Sequence, residues 1–214
     1  MTRPGSEPPG AVDVDPAEQN ARGTPDAVSG ATAPPATQVS SLRRVALRYQ
    51  LVAVSLAVAG GFLGVGGAIF EELRAGGLGF IAAAPIEEAL KPAGIYILLV
   101  RWPFVLQDRR YTAVLSALSG LTFGIIEACV YVFIYFPEGS GTFVLYRFTL
   151  PLLMHTVGSG IVGWGLDHRL IDWANGTTSF PRRTRNLFLV AMTLHGAFNL
   201  TAVVLTVTGV VRVR

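Results

Sequence analysis

Two glutamates and a lysine stand together inside an apolar stretch of the sequence, APIEEALKPAG (residues 84–94). Lys91 is the only lysine of the chain. Glu87 and Glu88 precede it by four and three residues, a spacing at which both carboxylates can reach the ammonium on one face of a helix. A charge at the centre of a membrane-spanning helix costs about 2.5 to 3.5 kcal/mol, so these groups need partners or a chemical task. A structural ion pair accounts for one carboxylate but not for the second.

Other carboxylates and imidazoles occur inside apolar stretches farther along the chain. They are Glu127 in TFGIIEA, His155 in MHTVGSG and His195 in LHGAFNL, and the two histidines are followed four residues on by Ser159 and Asn199. Each histidine alone is typical of a hydrogen bond between helices. Because all of these groups fall near the middle of their stretches, four helices would bring them to one depth in a membrane. This convergence indicates a chemical site.

The residue types of this set favour hydrolysis. Carboxylates and imidazoles in a cavity without bulk water can activate a water molecule and carry protons. In one interpretation a buried glutamate is the general base. In the other, two histidines with one or two glutamates bind a metal such as Zn²⁺ and leave an open position for water. The helical zinc-protease motif HExxH does not occur in the sequence, so a zinc site would need another arrangement.

The composition and hydropathy of the chain predict a membrane protein. The sequence is 51% apolar and only 14% charged, whereas a soluble domain carries about 25% charged residues. Its apolar stretches are near or above the ~20 residues that a helix needs to cross the hydrocarbon layer. We predict an all-α, polytopic transmembrane bundle of about five spans, at residues 47–70, 77–100, 111–136, 143–166 and 187–211.

The N-terminal part of the chain differs from the rest in composition. Residues 1–40 hold seven of the thirteen prolines and few large apolar side chains. We therefore predict a disordered Pro/Gly/Ala-rich tail over residues 1–42 and a transmembrane domain over residues 43–214. Most loop arginines precede the first span or follow the second and fourth spans. By the positive-inside rule this predicts a multi-pass protein of the cell membrane with a cytoplasmic N-terminus. The arginines form no basic stripe, which excludes a nucleic-acid partner.

The motifs together resemble a known family. EExxK (Glu87, Glu88, Lys91), FxxxE (Phe123, Glu127), HxxxS (His155, Ser159) and HxxxN (His195, Asn199) occur in the order found in the PrsW family of intramembrane proteases, which are relatives of the CAAX prenyl endopeptidases. The resemblance implies hydrolysis of peptide bonds in or near the membrane, with the motif glutamates and histidines at the active site. The family is commonly classed with metalloproteases, and a metal-free glutamate mechanism is argued for its relatives. The best-known members have HxxxD, where this chain has Asn199 or Ser159.

We predict a protease domain over residues 43–214, with a role for each site residue. Glu87 or Glu88 activates water, Lys91 holds the pair, and Asn199 donates a hydrogen bond to the tetrahedral intermediate. The remaining site residues bind the oxyanion or a divalent metal, for which Zn²⁺ is the first choice: Glu127, His155 and His195. The expected partners are membrane lipid and a membrane protein or peptide substrate.

Two other classes of function remain open from the sequence alone. A proton-coupled transporter or channel would use glutamate, lysine and histidine at the midplane of the membrane equally well. No inverted repeat is visible across the five predicted spans, which favours the protease. The third class is a non-catalytic membrane scaffold, which would have no need of the charged residues.

Overall fold

The computed structural model describes residues 36–75, 79–106 and 108–208. These residues are helical or in short connections, and no strand occurs among them. The all-α prediction is therefore confirmed. The predicted N-terminal tail lies mostly outside the described residues, because the first helix begins at Ala36.

The α-helices of the described residues differ widely in length, from 6 to 40 residues. In chain order they are α1 (Ala36–Ala75), α2 (Gly79–Leu90), α3 (Ala93–Arg101), α4 (Arg109–Val130), α5 (Gly141–Arg147), α6 (Leu150–Gly165), α7 (Arg169–Ala174) and α8 (Arg182–Val207). A 3₁₀ turn, Pro103–Leu106, follows α3, and a π-helical turn, Tyr131–Tyr135, extends α4. The side chain of Asp108 caps the start of α4 by accepting a 2.9 Å hydrogen bond from the backbone N–H of Arg110.

Among the described residues, three segments are long and apolar enough to cross a membrane as continuous helices: Ala46–Glu71, Arg109–Tyr135 and Arg182–Leu205. They correspond to the first, third and fifth predicted spans. The second predicted span is divided between α2 and α3, and the fourth falls on α5 and α6. Two of the five predicted spans are thus built from pairs of shorter helices. Broken helices are tolerated at membrane depth where protein covers the freed backbone groups.

The break between α2 and α3 follows from Pro92. Proline has no N–H to continue the helix, and the N–H of Ile95 bonds to the carbonyl of Pro92 at 2.8 Å. The carbonyl of Lys91 accepts instead a hydrogen bond from Ser119 Oγ of α4 at 2.5 Å. The freed backbone group therefore has a partner on a neighbouring helix, and the break is held at the level of Lys91.

Close helix packing holds the polar groups together. α6 lies along α4 and also packs on α8, which in turn packs on α2. At Gly120 of α4 a Cβ atom would collide with the carbonyl oxygen of His155 on α6. Glycine at this position lets the two helix backbones approach closely. The arrangement brings α2, α4, α6 and α8 around one small volume.

The distribution of polar and apolar side chains is inverted relative to a soluble protein. The fully or nearly buried side chains include Glu88, Lys91 and His195. Large apolar side chains are exposed along the long helices, for example Phe62 and Leu63 on α1 and Leu189 and Leu200 on α8. Ionisable groups inside and apolar groups outside are what a hydrocarbon solvent requires.

Candidate active site

The last turn of α2 and the break after it place Glu87, Glu88 and Lys91 side by side. The Lys91 ammonium donates a 2.8 Å hydrogen bond to Glu88 Oε1 and lies 3.2 Å from Glu87 Oε2. It also lies 4.2 Å from the centre of the Phe123 ring, within cation–π range. The lysine thus contacts both carboxylates of the EExxK motif and the aromatic residue of the FxxxE motif. Glu88 and Lys91 are fully buried.

His195 of α8 contacts the same carboxylate pair. Its Nδ1 lies 3.0 Å from Glu88 Oε1, and its Nε2 lies 3.7 Å from Glu87 Oε2. An ionised carboxylate can only accept, so the Nδ1–H of His195 donates to Glu88. Glu88 therefore sets both the tautomer and the orientation of the His195 ring.

His155 of α6 links the pair to Glu127. An ammonium has no acceptor, so His155 Nδ1 accepts the 2.9 Å hydrogen bond from Lys91 Nζ. The ring proton is then on Nε2, which donates to Glu127 Oε2 at 2.9 Å. The rings of His155 and His195 meet edge to face, with centroids 4.9 Å apart. A continuous chain of polar contacts therefore runs from Glu127 to His195.

Arg147 belongs to this network, although it lies outside the sequence motifs. It is the last residue of α5, only 9% exposed, and its Nη2 lies 3.0 Å from Glu127 Oε2. Its guanidinium carbon lies 3.7 Å from the centre of the Tyr131 ring, in the π-helical turn after α4. The sequence gives one signal of this contact, because Arg147 falls inside the predicted span 143–166, but an arginine so near the end of a span usually extends to the interface.

The structure brings together six of the seven predicted site residues: Glu87, Glu88, Lys91, Glu127, His155 and His195. The seventh, Asn199, is half-buried one turn beyond His195 on α8. In the part of the chain that the structure describes, Asn199 makes no hydrogen bond with the other six. Ser159 is buried, and its Oγ has no hydrogen-bond partner among the described residues.

The ligand atoms that could hold a metal ion come from His155 and His195, as predicted, but from Glu87 in place of Glu127. Glu87, His155 and His195 offer ligand atoms that all lie within 4.8 Å of one another. Two imidazoles and one carboxylate form a ligand set found in catalytic zinc sites. Glu87 Oε2 is buried, and the Lys91 ammonium lies 3.2 Å from it. Lys91 holds His155 Nδ1, so this atom can bind a metal only when the lysine side chain turns away.

Glu127, which was predicted to bind the oxyanion or the metal, lies on the side of the His155 ring that faces away from Lys91. It accepts from His155 Nε2, the nitrogen on the other side of the ring from Lys91. A carboxylate in this position orients an imidazole and fixes its tautomer. Glu127 is therefore placed to support His155 rather than to join the other ligand atoms.

Comparison with known proteins supplies an independent assignment. A family model described as PrsW family intramembrane metalloprotease matches residues 44–213. No curated protein and no solved structure gives a significant match. The matched range covers most of the chain and contains every residue of the polar network described above. The chain therefore belongs to the PrsW family of intramembrane metalloproteases.

Proposed function

We propose that this chain is an endopeptidase that cleaves membrane-embedded segments of other proteins, with Glu87 as the general base. The observation that carries the proposal is the environment of Glu87 Oε2. This oxygen is buried, pairs with the Lys91 ammonium at 3.2 Å, and faces His155 and His195 at 4.0 and 3.7 Å. A water molecule bound between these groups could give its proton to Glu87.

Glu88 has a different task because its surroundings differ. Its Oε1 accepts hydrogen bonds from both Lys91 and His195. Its Oε2 faces α6 at Gly158, where a Cβ atom would lie 3.5 Å away. Oε1 of Glu88 thus has two donors, while Oε2 is buried without a hydrogen-bond partner among the described residues. We assign Glu88 the role of holding Lys91 and His195 in place, so that Glu87 remains available to water.

Hydrolysis then proceeds through two bond changes at the peptide carbon. The water oxygen adds to the carbonyl carbon while one water proton passes to Glu87 Oε2. The tetrahedral intermediate expels the amine, which takes the proton from Glu87 as the carbon–nitrogen bond breaks. Asn199, one turn from His195, would donate a hydrogen bond to the oxyanion. The products are a new carboxyl terminus and a new amino terminus.

A divalent metal would be held by Glu87, His155 and His195, and when bound it would supply Lewis acidity and lower the cost of deprotonating the water. The task of Glu88 and Glu127 is then to orient the two imidazoles through the nitrogens that face away from this site. With the ion bound, Glu87 would be a ligand rather than the free general base, and the deprotonation of water would rest on the ion.

The experiment that tests the function is reconstitution. The purified full chain is placed in lipid vesicles with a peptide that has one membrane-spanning segment, and the products are identified by mass. We expect cleavage within or beside the spanning segment. Bound metal is measured in the same preparation. The cleavage rate after chelator treatment, and again after addition of Zn²⁺, shows whether the metal-free or the metal-bound protein is active. No cleavage in any metal state, over a panel of peptides, would overturn the proposal.

Removing the charge of Arg147 is expected to lower activity although this residue lies outside the sequence motifs. Arg147→Met leaves Glu127 without its cation at 3.0 Å, and Glu127 then orients His155 less well. Mutation of such outer partners typically costs about 10- to 100-fold in activity or metal affinity. The rate of peptide cleavage and the metal affinity are measured against Arg48→Met, an arginine near the start of the first predicted span. Equal rates in the two variants would contradict the role of Arg147.

The orientation of the chain can be tested with reporters. The excess of arginines before the first span and after the second and fourth favours a cytoplasmic N-terminus. With five crossings, a reporter fused at residue 30 or at residue 175 is expected to be cytoplasmic, and one fused after residue 214 is expected to be external. Cysteine-accessibility labelling at the same positions checks the fusion results. The opposite labelling pattern would show that the arginines do not set the orientation.

A further inference from the structure

A cavity of about 550 Å³ lies between α3, α7 and the first half of α8, away from the polar network. Its walls are almost entirely apolar, and they include Tyr96, Val100, Ile171, Trp173, Phe188 and Met192. Volumes of about 300 to 1,000 Å³ are typical of sites for small molecules. None of the lining residues belongs to the active site, so the proposed protease reaction does not account for this cavity.

One end of the cavity is strongly basic. Arg185 lines it, and the segment of residues 169–185 holds four arginines against one aspartate. Arg182, Arg183 and Arg185 are exposed. No carboxylate of the described residues forms an ion pair with any of the three. Within the described residues, Arg185 at the cavity and its neighbours Arg182 and Arg183 therefore carry positive charge without an ion-pair partner.

The α8 residues that line the cavity extend from the start of this helix towards its middle. Arg185 lies near the start of the span Arg182–Leu205. Met192, seven residues further along α8, lies about 10 Å deeper. Trp173 and Phe180 meet edge to face at 4.7 Å near the basic end, and aromatic residues are enriched at membrane interfaces. The cavity thus runs from a basic, aromatic interface into the apolar layer.

We propose that this cavity binds an anionic phospholipid of the surrounding bilayer. The phosphate is held at Arg185, and an acyl chain lies along Phe188, Leu189 and Met192. A basic pocket between helices at the membrane surface is a known arrangement for anionic headgroups. A free phosphate ion would leave the apolar walls without a partner. A substrate helix is too large, since a 10 Å length of helix with a diameter of about 10 Å fills roughly 800 Å³.

The lipid site is tested by binding rather than by proteolysis, so the result does not depend on the proposed activity. The full chain is purified and titrated with phosphatidylglycerol and with phosphatidylcholine, and bound lipid is counted by native mass spectrometry. We expect preferential binding of phosphatidylglycerol. Arg185→Gln removes one cation near the headgroup and is expected to weaken this binding about fivefold. Arg110→Gln, an exposed arginine at the start of α4, is the matched control and is expected to change it by less than twofold.

A second pair of variants tests the acyl chain. Leu189 and Val190 are adjacent and exposed on α8, but only Leu189 lines the cavity. Leu189→Trp is expected to fill the cavity and abolish selective binding, while Val190→Trp keeps it. Equal binding of the two lipids, equal loss in Arg185→Gln and Arg110→Gln, or unchanged binding in Leu189→Trp would each overturn the proposal. So would displacement of the lipid by millimolar inorganic phosphate, which would show a site for free anions.

Discussion

Glu87→Gln is expected to lower the rate of peptide cleavage by about 10²- to 10⁴-fold, the range supplied by a general base. The amide keeps the shape of the side chain but cannot take a proton from water. The fold should change little, because Glu88 retains its 2.8 Å contact with Lys91. The measurement is the cleavage rate in vesicles together with the midpoint of thermal unfolding of the same preparation.

Two further variants make the result specific. Glu88→Gln is expected to lower both the rate and the unfolding midpoint, because Glu88 is the acceptor for Lys91 and for His195. Glu138→Gln, an exposed glutamate in the loop before α5, should alter neither. If Glu87→Gln cleaved the peptide at the wild-type rate, Glu87 would be excluded as the general base. If Glu88→Gln lost activity but kept its unfolding midpoint, while Glu87→Gln stayed active, Glu88 would be the general base and Glu87 the residue that positions Lys91.

Lys91→Met is expected to destabilise the protein by about 3–5 kcal/mol, the usual effect of breaking a buried charge pair by removing one partner. Lys91 is fully buried and lies within 3.2 Å of both carboxylates. Its removal leaves Glu87 and Glu88 side by side without a cation and frees Nδ1 of His155. Cleavage should be lost as well. The free energy of unfolding, measured in detergent or lipid, checks the larger effect.

The matched control for Lys91→Met is an ion pair at the surface. Arg109 Nη2 lies 3.5 Å from Asp167 Oδ2, and the arginine side chain is 46% exposed. Exposed pairs contribute about 0–1 kcal/mol, so Arg109→Met should have a small effect. Lys91→Arg should be intermediate, because a planar guanidinium does not replace a compact ammonium among closely packed groups. Equal stability of Lys91→Met and Arg109→Met would show that the lysine is not coupled to the carboxylates.

The local part of the site could be predicted from the sequence because its geometry is set within one helix. Spacings of three and four residues bring Glu88 and Glu87 to Lys91 in any helix, and the structure shows both contacts. Depth along predicted spans also put His155 and His195 at the level of these residues. The partner of each ring nitrogen of His155 and His195 depends on how the helices rotate and cross. A single sequence does not specify this arrangement.

The breaks in the helices and the role of Arg147 could not be read from hydropathy. A hydropathy window averages over Pro92 and so predicts one span where the structure has two helices meeting at Lys91. Arg147 lies near the end of a predicted span, where an arginine usually extends to the interface. Only the folding of α5 against the end of α4 shows that it contacts Glu127 and Tyr131.

Cleavage in H₂¹⁸O tests the central claim most directly. The wild-type chain, reconstituted with a membrane-spanning peptide, should produce two fragments, and the new carboxyl terminus should carry one ¹⁸O atom from water. Glu87→Gln in the same vesicles should leave the peptide intact. Mass spectrometry of the peptide and its fragments reads both outcomes in one experiment. An intact peptide with the wild-type chain, together with proton movement across the vesicle membrane that Glu87→Gln abolishes, would contradict the protease and favour a proton-coupled transporter.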